Sequence, residues 1–284
     1  MSDMAQEVPE LFDFVKANRA DSRASRQGPA RFLLDRMADD LTDRLAPVLR
    51  PFEAVLDFGT PFGAFGAVLE AVRPGTKRVT VPPAETRAPL PEGAFNLALS
   101  GMQMHRVNDL PGLLIQLRRA LKPDGLMMAT FPGGDTLSEL RDALMTAESE
   151  IRGAAGLRVF PMIDVRAAGQ LLQRAGFALP VADSERLTVR YPDLFALIRD
   201  LRAMGGTASM LVRSGQPGLT RGIILRAAEI YRERYTDADG RIRATFEMIW
   251  ISGWAPDASQ PKPLKPGSAK MRLEDALKAV RKER

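Results

Sequence analysis

Few residues in this chain could carry chemistry by type and spacing, and they fall on a handful of short stretches. The turn Asp57-Phe-Gly-Thr-Pro-Phe-Gly63 follows an apolar strand-like run and leads into a helix-like one. Glycine lets backbone amides approach a ligand at the positive end of a helix, so Asp57, Gly59 and Gly63 are the candidates for holding a nucleotide-bearing cofactor. Ser100 closes a later run, AFNLALS, and joins that set at the carboxyl edge of a sheet. His105 is the single histidine. As a general base it would suit proton removal near neutral pH, with a structural or surface imidazole as the competing reading. Asp135 follows Gly133-Gly134 just past a further strand and could grip a cationic substrate such as an arginine side chain; the alternative is an ordinary acid near a helix N-terminus. Asn108-Asp109 reads as a helix cap, and Tyr231, Tyr235 and Trp250 as packing groups. One histidine among scattered carboxylates offers no metal-ligand spacing.

The cofactor candidates need neighbours, and these are thin. An intact turn would have glycines where Thr60, Pro61 or Phe62 stand. A fold that binds a dinucleotide or S-adenosylmethionine wants an acid at the end of the next strand for the ribose hydroxyls, and that position is Val81. Glu85 is the nearest substitute, beyond Pro82-Pro83. The stretch from Pro82 to Gly93 is also short, since a full βαβ unit takes about 30 residues. A helix, with or without its strand, is therefore lost or shrunk where an adenine would rest. Together these features predict S-adenosylmethionine binding that is weak or lost.

The elements that must position these residues follow from hydrophobic periodicity. Residues 1–29 alternate charges with few apolar anchors and predict a loosely packed arm. Leu33, Met37, Leu41, Leu45 and Val48 form one stripe on a helix over 30–50. Strands are expected at 54–58, 78–81, 94–100, 126–131 and 185–191, with helices at 63–72, 113–121, 164–176, 192–204 and 220–235. Thr136-Leu-Ser-Glu139 reads as a capping box opening a helix to about Arg152. Residues 243–255 alternate Phe246, Met248 and Trp250 as a closing antiparallel strand. The fold class is α/β: a Rossmann-like doubly wound sheet with a terminal β-hairpin and an inserted helical cap. In these terms 30–191 is the core, 192–240 the cap, 241–256 the closing strand and 257–284 a basic tail. The glycine-rich run from Gly205 to Gly218 reads as a mobile cover.

Composition narrows the function classes. The chain has 284 residues, 45% hydrophobic, and no cysteine, which excludes disulfides and thiolate metal sites. The net charge is +5, and Lys262 to Arg284 alone carry eight Lys/Arg against three acids. The basicity is thus a tail property; the tail reads as solvated, or as a peripheral contact for an acidic partner or anionic lipid. No recognised nucleic-acid module accompanies it, so nucleic acid is not an expected partner. No apolar run reaches the length of a spanning helix, and the acidic N-terminus is unlike a signal peptide, so a cytoplasmic location is expected.

Four stretches carry a resemblance: HRVNDLPGLLIQLRRALKPDG (105–125), GGDTLSELR (133–141), residues 164–207 from DVRAAGQ to MGGT, and GRIRATFEMIWISGWAP (240–256). They resemble class I S-adenosylmethionine-dependent methyltransferases, in particular the branch of the malonyl-acyl-carrier-protein methyltransferase of biotin synthesis and the respiratory complex I assembly factor that hydroxylates an arginine, alphaproteobacterial type. The resemblance implies a methyltransferase-family assembly factor for complex I, with a complex I subunit as partner and a degenerate cofactor site. Its alternative is an active methyltransferase, or an arginine hydroxylase, acting on a protein side chain or a carrier-bound carboxylate. Asp57 and Gly59 match the family turn, and Gly63 covers its last glycine with altered spacing. Arg106 stands where relatives carry Trp. A different nucleotide ligand, NAD included, is disfavoured by the same Val81.

Overall fold

The computed structural model describes residues 10–82, 90–211 and 217–261. Glu85 and the basic tail from Lys262 onward lie outside the described residues. The central sheet has six strands in the order β2-β1-β3-β4-β6-β5. They are β1 (Ala54–Phe58), β2 (Lys77–Val81), β3 (Phe95–Gly101), β4 (Leu121–Pro132), β5 (Ala178–Tyr191) and β6 (Ile242–Trp254). The first four run parallel, whereas β6 is antiparallel to both β4 and β5. The order reverses between β1 and β3, which is where an open α/β sheet leaves a crevice at its carboxyl edge. β2 is an edge of the described sheet, and its side chains are largely exposed.

Helices α1 (Phe14–Gln27), α2 (Phe32–Leu45), α3 (Ala64–Val72), α4 (Leu110–Ala120), α5 (Ser138–Arg152), α6 (Val165–Arg174), α7 (Leu194–Ala203) and α8 (Arg221–Tyr235) cover the sheet. Strand residues alternate faces, so β1 sends Leu56 and Phe58 to one side and Val55 to the other. Leu56 and Phe58 pack with α4 and α6 through Leu113, Leu117 and Leu172. Val55, Leu97 and Leu99 pack with α2 and α3 through Met37, Leu41 and Phe65. A third cluster joins α5, α7 and α8 to the far ends of β5 and β6, with Leu140, Leu197, Ile223, Tyr231 and Phe246 at its centre. The cap helices therefore share a core with the sheet's own α5. Tyr231 is buried there and donates to the Arg243 carbonyl at 2.9 Å, while Trp250 is buried and stacks on Phe65.

Three expectations are corrected. The N-terminal segment is not loosely packed: Asp13 caps α1 by accepting from the Lys16 amide, and the helix buries Ala17, Ala20 and Ala24. Their spacing of three and four is the helical signal, but alanine carries too little hydrophobicity to show in composition. The capping box at 136–139 does not form. The residue preceding α5 is Leu137, in the left-handed region. The Thr136 hydroxyl is instead engaged by the backbone of Glu247 on β6, and Glu139 accepts from the Thr245 amide and hydroxyl. Finally, β5 begins at Ala178 rather than near 185, because it pairs with β6 along that whole length. Among the described residues, no helix is long and apolar enough to cross a membrane.

Candidate functional site

The turn after β1 rests on left-handed backbone at three positions: Gly59 at φ +70°, Phe62 at φ +55° and Gly63 at φ +63°. At Phe62 that conformation costs on the order of 1 kcal/mol. Gly63 immediately precedes α3, and a Cβ there would meet nothing within 4 Å, so its backbone faces open space. Asp57, at 1% exposure, accepts from the Thr60 amide at 3.3 Å through Oδ1, while its Oδ2 has no partner. Burial pushes this carboxyl above its usual range, against the hydrogen bonding of Thr60 and the charge of Arg78. Ser100 is equally buried, and its hydroxyl is likewise unpartnered. The two do not form one site. Asp57 pairs in register with Leu99, so alternation sends it to the α2/α3 face and Ser100, after Ala98, to the opposite one.

Among the described residues, those at the β1 turn fit the methionine end of S-adenosylmethionine. An orphaned carboxylate oxygen beside a left-handed glycine turn suits the ammonium group of its methionine end. Next to it the Thr60 methyl and the Phe65 ring pack over Gly101, lying 2.9 and 3.0 Å from where a Cβ would be, so that position takes glycine alone. The Thr60 hydroxyl also takes the Gly101 amide at 3.0 Å. At the nucleoside end β2 closes on Val81, without a carboxylate. No metal-binding group of three or more His, Asp or Glu occurs among the described residues.

A cavity of about 270 Å³ lies beyond this edge, beneath the cap. Pro61 of the β1 turn reaches it, and most of its wall is apolar: Leu33 from α2, Leu137 and Leu140 at the start of α5, Ile198 and Leu201 from α7. His105 and Arg106 enter it from the short 3-10 turn Met104–Arg106 that follows β3. The His105 ring meets Phe160 edge-on at 5.5 Å, and its Nδ1 is buried without a partner. Burial first, and then the neighbouring Arg106 charge, holds its pKa down at about 3. The imidazole is therefore neutral across the physiological range: it can exchange a hydrogen bond with a ligand, but it is a poor proton acceptor.

Arg106 is 6% exposed. Its Nε and Nη2 donate to Gln103 Oε1 at 2.9 and 2.7 Å, and Nη1 and Nη2 reach the two oxygens of Asp21 on α1 at 3.3 and 2.5 Å. Asn108 ties down the chain just before α1: its Oδ1 accepts from the Leu11 and Phe12 amides and its Nδ2 donates to the Phe12 carbonyl. Asp109 caps α4, as its position predicts, by accepting from the Gly112 amide at 2.8 Å. On the far wall Arg158 is held by Glu148, a carboxylate that also takes Arg152 and the Gly156 amide. Both guanidiniums reach carbonyls of the loop before α8, at Pro217 and Gly218. Nothing in the spacing reveals the contacts of Arg106 with Asp21, of Asn108 with Phe12 or of Arg158 with Pro217, because each joins segments far apart in sequence.

Asp135 lies apart from this cavity. Its carboxylate is exposed and already paired with Arg186 of β5, while its amide donates to Glu247 at 2.9 Å. It does hold a guanidinium, but the chain's own.

Residues 30–180 match a family described as a methyltransferase domain. The chain is 33% identical over 287 residues to the mitochondrial arginine-hydroxylase NDUFAF5 of Rattus norvegicus, covering 93% of this chain and 83% of that protein. With its Danio rerio counterpart identity is 40% over 190 residues, covering 67% of this chain and 59% of that one, less than two thirds of its length. The malonyl-[acyl-carrier protein] O-methyltransferase of Halorhodospira halophila is 32% identical over 263 residues, covering 82% of this chain and 85% of that one. Among solved structures, the YcgJ protein of Bacillus subtilis shares the fold at a TM-score of 0.50 and 11% identity, over 78% of this chain and 98% of that chain.

Proposed function

This chain belongs to the methyltransferase-domain family, and from that premise we propose that it serves the assembly of the respiratory NADH dehydrogenase, complex I, binding S-adenosylmethionine weakly or not at all. The observation that carries the reading is a contrast along one sheet edge. Under the cap a cavity is formed, with a largely apolar wall on which the buried Arg106 is held by Asp21 and Gln103. At the β1 turn Thr60, Pro61 and Phe62 stand in place of glycines, and β2 ends on Val81 without a ribose acid. Likeness to the NDUFAF5 arginine-hydroxylases supports a subunit of complex I as the partner, and the cap face as the surface that meets it. The test is isothermal titration with S-adenosylmethionine alongside complex I activity in cells lacking this gene. We expect no tight binding, together with reduced complex I activity that the wild-type chain restores. Binding in the micromolar range or tighter overturns the degenerate site, and undiminished complex I activity overturns the assembly role.

One observation favours a second reading, an active S-adenosylmethionine-dependent enzyme. The orphaned Asp57 Oδ2 is buried at the strand end where such a site would start. When bound, S-adenosylmethionine supplies an electrophilic methyl group. Asp57 would accept from its ammonium, with Gly59 and Gly63 shaping the turn around it. In that case Asp57→Ala abolishes function in cells, whereas the first reading expects function to persist.

A further inference from the structure

The cavity beneath the cap has the wrong charge for a cationic ligand. Three guanidiniums, Arg106, Arg158 and Arg202, stand on its wall against one carboxylate, Asp21. Arg158 is neutralised from outside by Glu148. Arg202 makes no ion pair among the described residues and is exposed. Arg106 is the buried one, and what neutralises it is a carboxylate reaching in from α1.

That carboxylate is held in an unusual way. α1 buries only three alanines, Ala17, Ala20 and Ala24, so it brings little apolar area to the contact. Asp21 is wedged between Arg106 and Gly205, whose φ is +73° and whose Cβ, if present, would lie 2.3 Å from Asp21 Oδ1. Gln103 orients the guanidinium from its other side. The result is a preformed, two-pronged carboxylate site on the wall of an apolar cavity, occupied by a helix of the same chain whose buried face is three alanines.

We infer that this cavity binds an alkyl carboxylate: the ligand's carboxylate replaces Asp21 on Arg106 and Gln103, its chain fills the space lined by Leu33, Leu137, Leu140 and Ile198, and α1 is released. The exchange is like for like, so the buried guanidinium is never left without a counter-charge, which would otherwise be the prohibitive cost. The cavity volume suits a chain of on the order of ten carbons. A guanidinium or ammonium ligand cannot take the place of Asp21 on Arg106, because it would leave two cations side by side. The inference does not depend on whether a methyl donor binds.

The test is calorimetric titration of the full chain, without S-adenosylmethionine, with decanoate below its micellar concentration, and with decanol and decyltrimethylammonium as uncharged and cationic controls. Decanoate should bind at least about tenfold more tightly than either control. Asp21→Asn removes the internal competitor and should tighten decanoate binding about fivefold or more. Arg106→Gln should weaken it by about tenfold, read only if its circular dichroism and melting match those of the wild type. Hydrogen exchange should show α1 amides losing protection when decanoate is added. The proposal is overturned if decanol binds as well as decanoate, if Asp21→Asn leaves the affinity unchanged or weakens it, or if α1 keeps its protection at saturation.

Discussion

At the scale of single residues, the functional interest lies in polar groups that the fold buries without full satisfaction. Asp57 Oδ2, Ser100 Oγ and His105 Nδ1 are such atoms, and each sits at the carboxyl edge of β1 or β3 or just beyond it. An unmet buried polar group costs roughly 1–3 kcal/mol, so native chains keep few of them and those that persist point to a use. His105 offers a direct test. Its pKa is about 3 in the folded chain against the ordinary value of 6.5, so between these pH values the unfolded chain holds the extra proton. Stability from this group is complete above pH 6.5 and declines as pH falls toward 3. His105→Phe keeps the ring contact with Phe160 and removes the titration. Comparison of urea unfolding at pH 7 and pH 5 should show the wild type losing roughly 2 kcal/mol more than the variant. Equal losses would mean that the imidazole is not neutral in the folded chain. The type and position of His105 were legible in the sequence; its neutrality was not, because that comes from Phe160 and the cap walls around it.

At the scale of elements, the cap is held on by charge as well as by apolar contact. Glu148, on α5, binds Arg152 and Arg158, which in turn fasten the loop leading into α8. Its side chain is 3% exposed, and the Arg158 hydrogen bonds hold its pKa down at about 2. Because the folded value lies below the unfolded one, this stability is present above pH 4.5 and lost as pH falls through the folded value near 2. Glu148→Gln leaves two guanidiniums uncompensated and should cost about 2–3 kcal/mol at pH 7. Its stability should then fall less steeply than the wild type's below pH 4.5, as thermal melting at graded pH would record. Sequence patterning reads helices such as α2 and α6 well, because each carries an apolar stripe and, for α6, a capping Asp164. It fails for α1, whose buried face is alanine, and for the start of α5, where β6 takes the groups that would have capped the helix.

At the scale of the whole molecule, the cap and the sheet are energetically joined. Leu140 of α5, Leu197 of α7, Tyr231 of α8 and Phe246 of β6 are in one buried cluster. Both tryptophans, Trp250 and Trp254, lie on β6, the strand that β4 and β5 flank. A shared core predicts one cooperative transition. Tryptophan fluorescence and far-ultraviolet circular dichroism should therefore give coincident urea midpoints. A separate earlier transition in circular dichroism alone would show that the cap helices melt independently. Leu197→Ala, in the cap half of that cluster, should lower both midpoints together at a cost of about 2–4 kcal/mol.

What the sequence by itself determined is the alternation of apolar runs and glycine-bounded turns, and with it the doubly wound sheet, its antiparallel closing strand and the turn at Asp57–Gly63. These are local signals, set by side-chain periodicity and by the backbone freedom of particular residues. Only the tertiary structure decided that Asp57 and Ser100 face opposite sides of the sheet, that Asp135 is taken by Arg186, and that Asp21 closes on Arg106. Such pairings depend on which distant segments meet, and the energy of a buried charge is fixed by its surroundings rather than by its neighbours in the chain. The four stretches between 105 and 256 carried the family, and the fold placed the formed cavity under the cap, a short way beyond the glycine turn.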